Sequence, residues 1–220
     1  MAGVAVIIPA AGSGQRFGGD LPKQFQLLGG KAILQHVIER FLADGSAKKI
    51  VVAVAEPIHR TADDRVQYVI GGATRQQSVV AALRAIDDAE IVAVHDAVRP
   101  FFTIETFHKL LDAAREVGAA VPVIPVADTI HVVENDAVAS TLDRAKLFAA
   151  QTPQCFRSEI LRDVLARAER EGAEGTDEAG LAARYGYAVR AVPGDTMNFK
   201  ITRPEDLLIA EALLERWSRK

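Results

Sequence analysis

A glycine-rich segment with two cationic side chains follows the first apolar run of the chain. The segment PAAGSGQRFGGDLPKQF covers 9–25 and carries Arg16 and Lys23. Glycines let the backbone bring N–H groups close to oxygen atoms, while arginine offers a planar fork of donors and lysine a compact point charge. These groups suit a triphosphate whose charge must be neutralised while a bond at phosphorus breaks. The alternative is a solvated surface loop with incidental charges.

Two better-known glycine loops do not fit this segment. A Walker A loop requires G-x-x-x-x-G-K-[ST], which occurs nowhere in the chain. A dinucleotide-binding fingerprint requires G-x-G-x-x-G, but GSGQRFG is one residue too long, and no helical pattern follows it directly. Rossmann-type oxidoreductase chemistry therefore loses its main sequence support.

Two later segments also follow predicted strands and carry charged side chains. GGATRQQS at 71–78 contains Arg75, and HDAVRP at 95–100 contains Asp96 and Arg99. Ligands of open α/β sheets bind outside the carboxyl ends of the strands. Because an unpaired buried carboxylate is costly, Asp96 is expected to hold a ligand hydroxyl or to face a metal bound to phosphates.

The elements that must position these segments are short apolar runs alternating with amphipathic helices. Continuous runs, typical of strands covered on both faces of a parallel sheet, occupy 4–8, 50–55, 66–70, 91–96 and 119–127. Helices are predicted at 31–45, 74–86, 104–118, 158–172, 176–186 and 203–217, with further strands at 188–192 and 198–202. This alternation predicts an α/β fold, a mostly parallel Rossmann-like sheet flanked by helices, with 1–220 as a single domain.

One stretch breaks the alternation. DTIHVVENDAVASTLDR at 128–144 is interpreted as a protruding β-hairpin arm that turns at Glu134-Asn135-Asp136. An isolated hairpin is marginally stable in water, so the arm should pack either on a second subunit or on its own domain. In the TDEA segment, Thr176 is expected to cap a helix, and no catalytic role is predicted.

Composition excludes several classes of protein. The chain has 220 residues and a net charge of −3, which argues against a general binder of nucleic acid or anionic membranes. Cys155 is the only cysteine, so no internal disulfide forms, and the five histidines show no metal-ligand spacing. The first apolar run is too short for a membrane span and lacks the features of a signal peptide, so a cytoplasmic protein is predicted.

As a set, the motifs resemble one known family. PAAGSGQRF, LPKQF, GGATRQQSV, HDAVRPF, ADT, LDR, QTPQ, TDEA and NFKITRPEDL occur in this order over nearly the whole chain. They are similar to the 2-C-methyl-D-erythritol 4-phosphate cytidylyltransferase family of the non-mevalonate isoprenoid pathway. The first loop alone would indicate only a nucleotidyltransferase of the wider sugar-nucleotide type.

The resemblance implies a reaction between two substrates, CTP and 2-C-methyl-D-erythritol 4-phosphate. In-line attack on the α-phosphate of CTP gives 4-diphosphocytidyl-2-C-methyl-D-erythritol and pyrophosphate, with Mg²⁺ bound mainly through the CTP phosphates and no protein metal ligand. A ribitol-phosphate cytidylyltransferase and a non-catalytic nucleotide-binding regulator are the alternatives.

The resemblance also implies roles for individual residues. The catalytic cations would be Arg16, Lys23, Arg144 and Lys200. The CTP pocket would be lined by Pro9, Ala10, Ala11, Gly12, Gly72, Arg75, Ser78 and Ala97. The polyol phosphate would contact Asp96, Arg99 and Thr129. The family implies a homodimer formed through 128–144, in which Arg144 serves the active site of the partner.

Overall fold

A central sheet of eight strands organises the chain in the computed structural model, which describes residues 3–12, 21–57 and 63–217. The strands are β1 (Val4–Pro9), β2 (Leu27–Leu28), β3 (Lys31–Ala32), β4 (Ala47–Val54), β5 (Val66–Ile70), β6 (Ile91–Val94), β7 (Ala119–Pro125), β8 (His131–Glu134), β9 (Ala137–Thr141), β10 (Phe148–Ala150), β11 (Gln154–Arg157) and β12 (Val189–Pro193). The α-helices are α1 (Ile33–Asp44), α2 (Arg75–Arg84), α3 (Ile104–Val117), α4 (Ser158–Glu171), α5 (Glu178–Arg184) and α6 (Pro204–Trp217). None of these helices is long and apolar enough to cross a bilayer.

The sheet is mostly parallel, as predicted. Its order is β10-β7-β11-β6-β1-β4-β5, with β12 also paired to β7. Strands β6, β1, β4 and β5 run parallel to their neighbours in this half of the sheet. Their carboxyl ends therefore meet at one edge, which is where the segments with charged side chains begin.

The core lies on both faces of the sheet, which explains the continuous apolar runs. Along β1, Val6 and Ile8 pack in the same cluster as residues of α1 and α3. Ala5 and Ile7 pack on the opposite face with residues of α2, α4 and α5. Because successive strand side chains point to opposite faces, a strand buried on both sides needs apolar residues at every position.

The structure differs locally from the predicted elements. The segment 198–202 is not a strand, and its backbone is bonded elsewhere: Ile201 N–H donates to the carbonyl of Val98 at 3.0 Å. Strand β11 was not predicted, although it lies antiparallel between β6 and β7. Helix α5 is capped by Asp177 instead of Thr176, because the Asp177 carboxylate accepts a bond from the N–H of Gly180 at 2.8 Å.

Strands β8 and β9 form a separate two-stranded antiparallel sheet. The turn between them places Asn135 at φ 49° and Asp136 at φ 62°, the left-handed pair that a tight hairpin turn requires and that Asn and Asp tolerate. Val133 and Val138 are more than half exposed on this hairpin. The hairpin thus leaves apolar side chains uncovered within the described chain.

Candidate active site

A cavity of about 370 Å³ opens at the carboxyl ends of β1, β5 and β6. It is called the first cavity here. Its wall contains Pro9, Ala10, Ala11, Gly12, Lys23, Gln24, Gly72, Ala73, Thr74, Arg75, Ser78, Asp96, Ala97, Val98 and Lys200. All eight residues predicted to line a CTP pocket are in this wall, together with the predicted catalytic residues Lys23 and Lys200.

The end of β1 is fixed by bonds on two sides. The N–H of Ala10 donates to the carbonyl of Ala53 at 2.7 Å, which extends the pairing of β1 with β4. The side-chain amide of Gln24 donates to the carbonyls of Ala10 at 2.6 Å and Gly12 at 2.9 Å. A 3-10 turn over Lys23–Phe25 follows Pro22 and places Lys23 in the cavity wall.

The start of α2 forms a second side of the first cavity. Thr74 and Gln77 form a reciprocal capping box that satisfies backbone N–H groups at the helix start. The N–H of Gly72 donates to the hydroxyl of Ser78 at 3.2 Å. A Cβ atom on Gly71 would lie 2.6 Å from the Cβ of Ala11, so only glycine allows the two loops to approach this closely.

A second cavity of about 230 Å³ adjoins the first, and their walls share Arg75, Asp96 and Lys200. The other residues of its wall are Arg99, Ala150, Gln151, Thr152, Gln154, Thr176 and Asp177. The predicted polyol ligand Arg99 therefore lies in the second cavity, while Asp96 lies between the two.

Asp96 is the centre of a charge cluster. Its carboxylate lies 2.9 Å from the Nζ of Lys200, 3.3 Å from the Nε of Arg75 and 3.5 Å from the Nε of Arg99. Burial alone would raise the pKa of Asp96, but the three cations outweigh it and hold that pKa well below its usual range. Asp96 is consequently ionised at neutral pH.

Glu178 is a second carboxylate of this cluster, and sequence reasoning missed it. It is 1% exposed, and the Nη1 of Arg75 lies 2.7 Å from its Oε1 and 2.9 Å from its Oε2. Burial raises the pKa of Glu178, and the charge of Arg75 opposes that rise. Burial likewise disfavours the charge of Arg75, but Glu178 and Asp96 together raise its pKa. The guanidinium of Arg75 is therefore charged, and it is shared between the two carboxylates.

His95 is a buried neighbour of the site that supports the backbone of Asp96. The Nε2 of His95 lies 3.0 Å from the carbonyl of Arg99, so this nitrogen carries the proton. The Nδ1 then accepts a bond from the hydroxyl of Thr152 at 3.0 Å, and that hydroxyl accepts one from the N–H of Asp96 at 3.0 Å. Burial lowers the pKa of His95 to about 3, so the imidazole is neutral and its donor and acceptor roles are fixed.

Residues 4–216 match the model of one protein family, 2-C-methyl-D-erythritol 4-phosphate cytidylyltransferase. The chain belongs to this family. The match confirms the predicted family and the predicted enzyme class, a cytidylyltransferase, and it favours the main functional interpretation over the ribitol phosphate and regulator alternatives.

Curated relatives and solved structures agree with this assignment. An enzyme of the same name from Bacillus cytotoxicus is 41% identical over 218 residues, which cover 95% of this chain and 96% of the relative. One from Halalkalibacterium halodurans is 41% identical over 225 residues, covering 98% and 99%. The crystal structure of such an enzyme from Thermus thermophilus has a TM-score of 0.85 and 38% identity, covering 97% of this chain and 99% of that one. The α/β fold is thereby confirmed.

Two residues that the family resemblance implicates line neither cavity in the described part of this cytidylyltransferase. Thr129 and Arg144 are exposed, and the Nη1 of Arg144 donates to the carbonyl of Ala127 at 2.7 Å. Arg16 lies outside the described residues. The single chain thus brings together the residues assigned to CTP, but neither cavity includes the two residues assigned to the polyol phosphate and to catalysis, Thr129 and Arg144.

Proposed function

We propose that the first cavity binds CTP and that this chain joins CTP to 2-C-methyl-D-erythritol 4-phosphate, releasing pyrophosphate. The observation that carries this site assignment is the convergence of Lys23, Arg75 and Lys200 on one cavity at the sheet edge. A cationic wall combined with glycine-rich backbone suits a polyphosphate. Family membership supplies the identity of the two substrates.

The reaction brings two anions together. An oxygen of the polyol phosphate forms a bond to the α-phosphorus of CTP, the bond from that phosphorus to the bridging oxygen breaks, and pyrophosphate leaves with the electron pair. The attacking phosphate monoester needs no general base, since its second pKa is about 6. Lys23 and Lys200 therefore contribute by offsetting charge and by positioning, which are the main sources of rate in phosphoryl transfer.

Magnesium fits this site as a companion of CTP. Among the residues that the structure describes, no group of three or more His, Cys, Asp or Glu side chains could hold a metal ion. The two carboxylates beside the first cavity, Asp96 and Glu178, are both paired with cations. The ion would thus be held mainly by the CTP phosphates, where it would neutralise charge on the leaving group.

The second cavity is proposed as the polyol phosphate site. Asp96 can accept a bond from a polyol hydroxyl, and Arg99 has one face toward this cavity while its Nη1 is held by the carbonyl of Asn198 at 2.7 Å. The shared wall places the two substrates side by side, with Lys200 accessible to both. This arrangement supports transfer between neighbouring phosphates without a covalent enzyme intermediate.

The segment 128–144 is proposed to complete the site of a second copy of the chain. Arg144 is exposed and lines neither cavity of its own chain. Val133, Val138, Leu142 and Phe148 are between 41% and 61% exposed in and just after this segment, and exposed apolar groups of this kind are typical of an interface. We therefore propose a homodimer in which Arg144 reaches the polyol phosphate of its partner.

The proposal also includes a cytoplasmic location, consistent with an unpaired Cys155.

The activity is tested by measuring pyrophosphate release from each of the four nucleoside triphosphates with 2-C-methyl-D-erythritol 4-phosphate or ribitol 5-phosphate. We expect release only from CTP with the erythritol substrate.

Lys23→Ala should lower kcat about a hundred- to a thousandfold, the usual cost of one preorganised electrostatic group. Lys31→Ala, which removes an exposed lysine paired with Glu39, is the control. Wild-type turnover in Lys23→Ala would contradict the catalytic assignment.

The shared site is tested by mixing two variants. Lys23→Ala and Arg144→Ala should each be nearly inactive, and a hybrid dimer should contain one intact composite site. Random exchange of subunits should then restore roughly a quarter of wild-type activity, as expected for a two-fold symmetric dimer. Hybrid dimers that remain inactive would contradict the contribution of Arg144 to the partner.

A further inference from the structure

Gln24 is a buried polar residue in the wall of the first cavity, and the sequence motifs assign it no role. It is 4% exposed. Its Nε2 lies 2.6 Å from the carbonyl oxygen of Ala10 and 2.9 Å from that of Gly12. Carbonyl oxygens only accept hydrogen bonds, so the amide nitrogen must face both of them. Gln24 therefore uses its two side-chain N–H donors on the first residues of the glycine-rich loop.

These bonds fix the orientation of the peptide units that follow β1. In a planar trans peptide, the carbonyl of one residue and the N–H of the next point in opposite directions. By holding the Ala10 carbonyl, Gln24 also fixes the direction of the Ala11 N–H, and both residues lie in the cavity wall. Glycine-rich backbone has little intrinsic preference of its own, so a side chain is needed to select one arrangement.

The same residue connects this backbone to Lys23. Gln24 and Lys23 are adjacent in the 3-10 turn, which is closed by a bond from the N–H of Phe25 to the carbonyl of Pro22 at 2.9 Å. The Gln24 side chain thus joins two walls of the cavity, since Gln24 and its bonded partner Gly12 are 12 residues apart in sequence. A displacement of about 1 Å between such parts can lower a rate about a hundredfold.

We infer that Gln24 is a positioning residue that sets the loop backbone and the Lys23 ammonium in one arrangement for CTP. This inference rests on the proposed function of the first cavity. It differs from a general structural role, because it predicts an effect confined to CTP and to turnover. The affinity for the polyol phosphate, whose proposed site has a different wall, should be preserved.

The test compares Gln24→Met with Gln26→Met. Methionine has nearly the length of glutamine but donates no hydrogen bond. Gln26 is a matched control, since it lies two residues away in the same KQFQ stretch, its amide donates to the Leu21 carbonyl at 2.9 Å, and it is not in the cavity wall. Steady-state kinetics are measured with each substrate varied in turn, and denaturant unfolding is measured for both variants.

In Gln24→Met we expect the KM for CTP to rise at least about tenfold and kcat to fall at least about tenfold, because two backbone acceptors lose their donor. The KM for the polyol phosphate should stay within about twofold of wild type, as should every constant of Gln26→Met. Gln24→Glu should be more severe, since its carboxylate would face two carbonyl oxygens. Backbone amide exchange over 9–12 should be faster in Gln24→Met than in Gln26→Met.

The inference is overturned if Gln24→Met keeps the wild-type constants for CTP, or if it raises both KM values equally. Should Gln24→Met fail to fold, Gln24→Asn replaces it, because its shorter side chain keeps the amide but cannot reach both carbonyls. Absence of CTP turnover in the wild-type protein would instead refute the proposed function, so the two failures are distinguishable.

Discussion

The buried pair of Arg75 and Glu178 leads to a quantitative prediction about stability and pH. Arg75→Met removes the cation that lies 2.7 Å from a carboxylate with only 1% exposure. Breaking such a pair by removing one partner typically costs about 3–5 kcal/mol, since the remaining charge is buried without compensation. The Arg75 side chain is 29% exposed, so we expect the lower end of this range.

In the variant, the unpaired charge of Glu178 can be removed by protonation, which determines both the size and the pH dependence of the lost stability. Glu178 can take up a proton, and from its ordinary pKa of 4.5 this costs about 3 kcal/mol at pH 7 but under about 1 kcal/mol at pH 5. A carboxyl whose pKa is raised on folding favours the folded state at low pH, and this contribution is lost as pH rises. The penalty of Arg75→Met should therefore increase from pH 5 to pH 7.

Urea unfolding of wild type and variant at pH 5 and pH 7 measures this penalty directly. Arg84→Met is the matched control on the same helix, because Arg84 lies 3.3 Å from Glu169 with both side chains more than 60% exposed. Its loss should be below about 1 kcal/mol at either pH. The double variant Arg75→Met/Glu178→Met should recover most of the loss at pH 7. A penalty that is independent of pH, or no larger than that of the control, would refute the reasoning.

Three further predictions concern burial and close packing. Because His95 has a pKa of about 3 when folded, the protein should lose about 2 kcal/mol of stability through this residue as the pH falls from 6.5 to 5. Urea unfolding should show that His95→Asn lacks this part of the pH dependence of stability, and an equal pH dependence in variant and wild type would contradict the prediction. Gly71→Ala should raise the KM for CTP and destabilise the folded protein by about 1–3 kcal/mol, because the added Cβ would overlap Ala11 and Ser78. A KM and an unfolding free energy unchanged from wild type would refute this prediction. Burial raises the pKa of the Cys155 thiol, so a thiol reagent should label it only after unfolding, and rapid labelling of the folded protein would contradict that placement.

Sequence patterns predicted the parallel half of the sheet well, because its strands are buried on both faces and therefore consist of continuous apolar residues. The convergence of Lys23 and Asp96 on one edge followed from the position of each residue after or near a strand end. Strand β11 was not predicted because it starts in the polar QTPQ motif. Its formation depends on pairing with β6 and β7 more than on its own composition.

The partners of the site residues were harder to predict. Arg75 and Glu178 are 103 positions apart in sequence, and Thr152 and His95 are 57 apart. Local periodicity indicates that a helix such as α5 has a buried face, but not which loop that face meets. From the sequence, Glu178 of the TDEA segment was therefore given no role in the site, although it is the buried counterion of Arg75.

The pairing of Lys200 with Asp96 bears on how quickly products can depart. Three unopposed cations in one cleft would give a polyphosphate a long residence time, and turnover would then be limited by dissociation. Here the ammonium already lies 2.9 Å from a carboxylate, and Arg75 is shared between two. Any incoming anion must compete with these carboxylates for the cations, so each contact contributes less binding free energy. We therefore propose that this cleft attracts phosphates strongly enough to align them without retaining pyrophosphate.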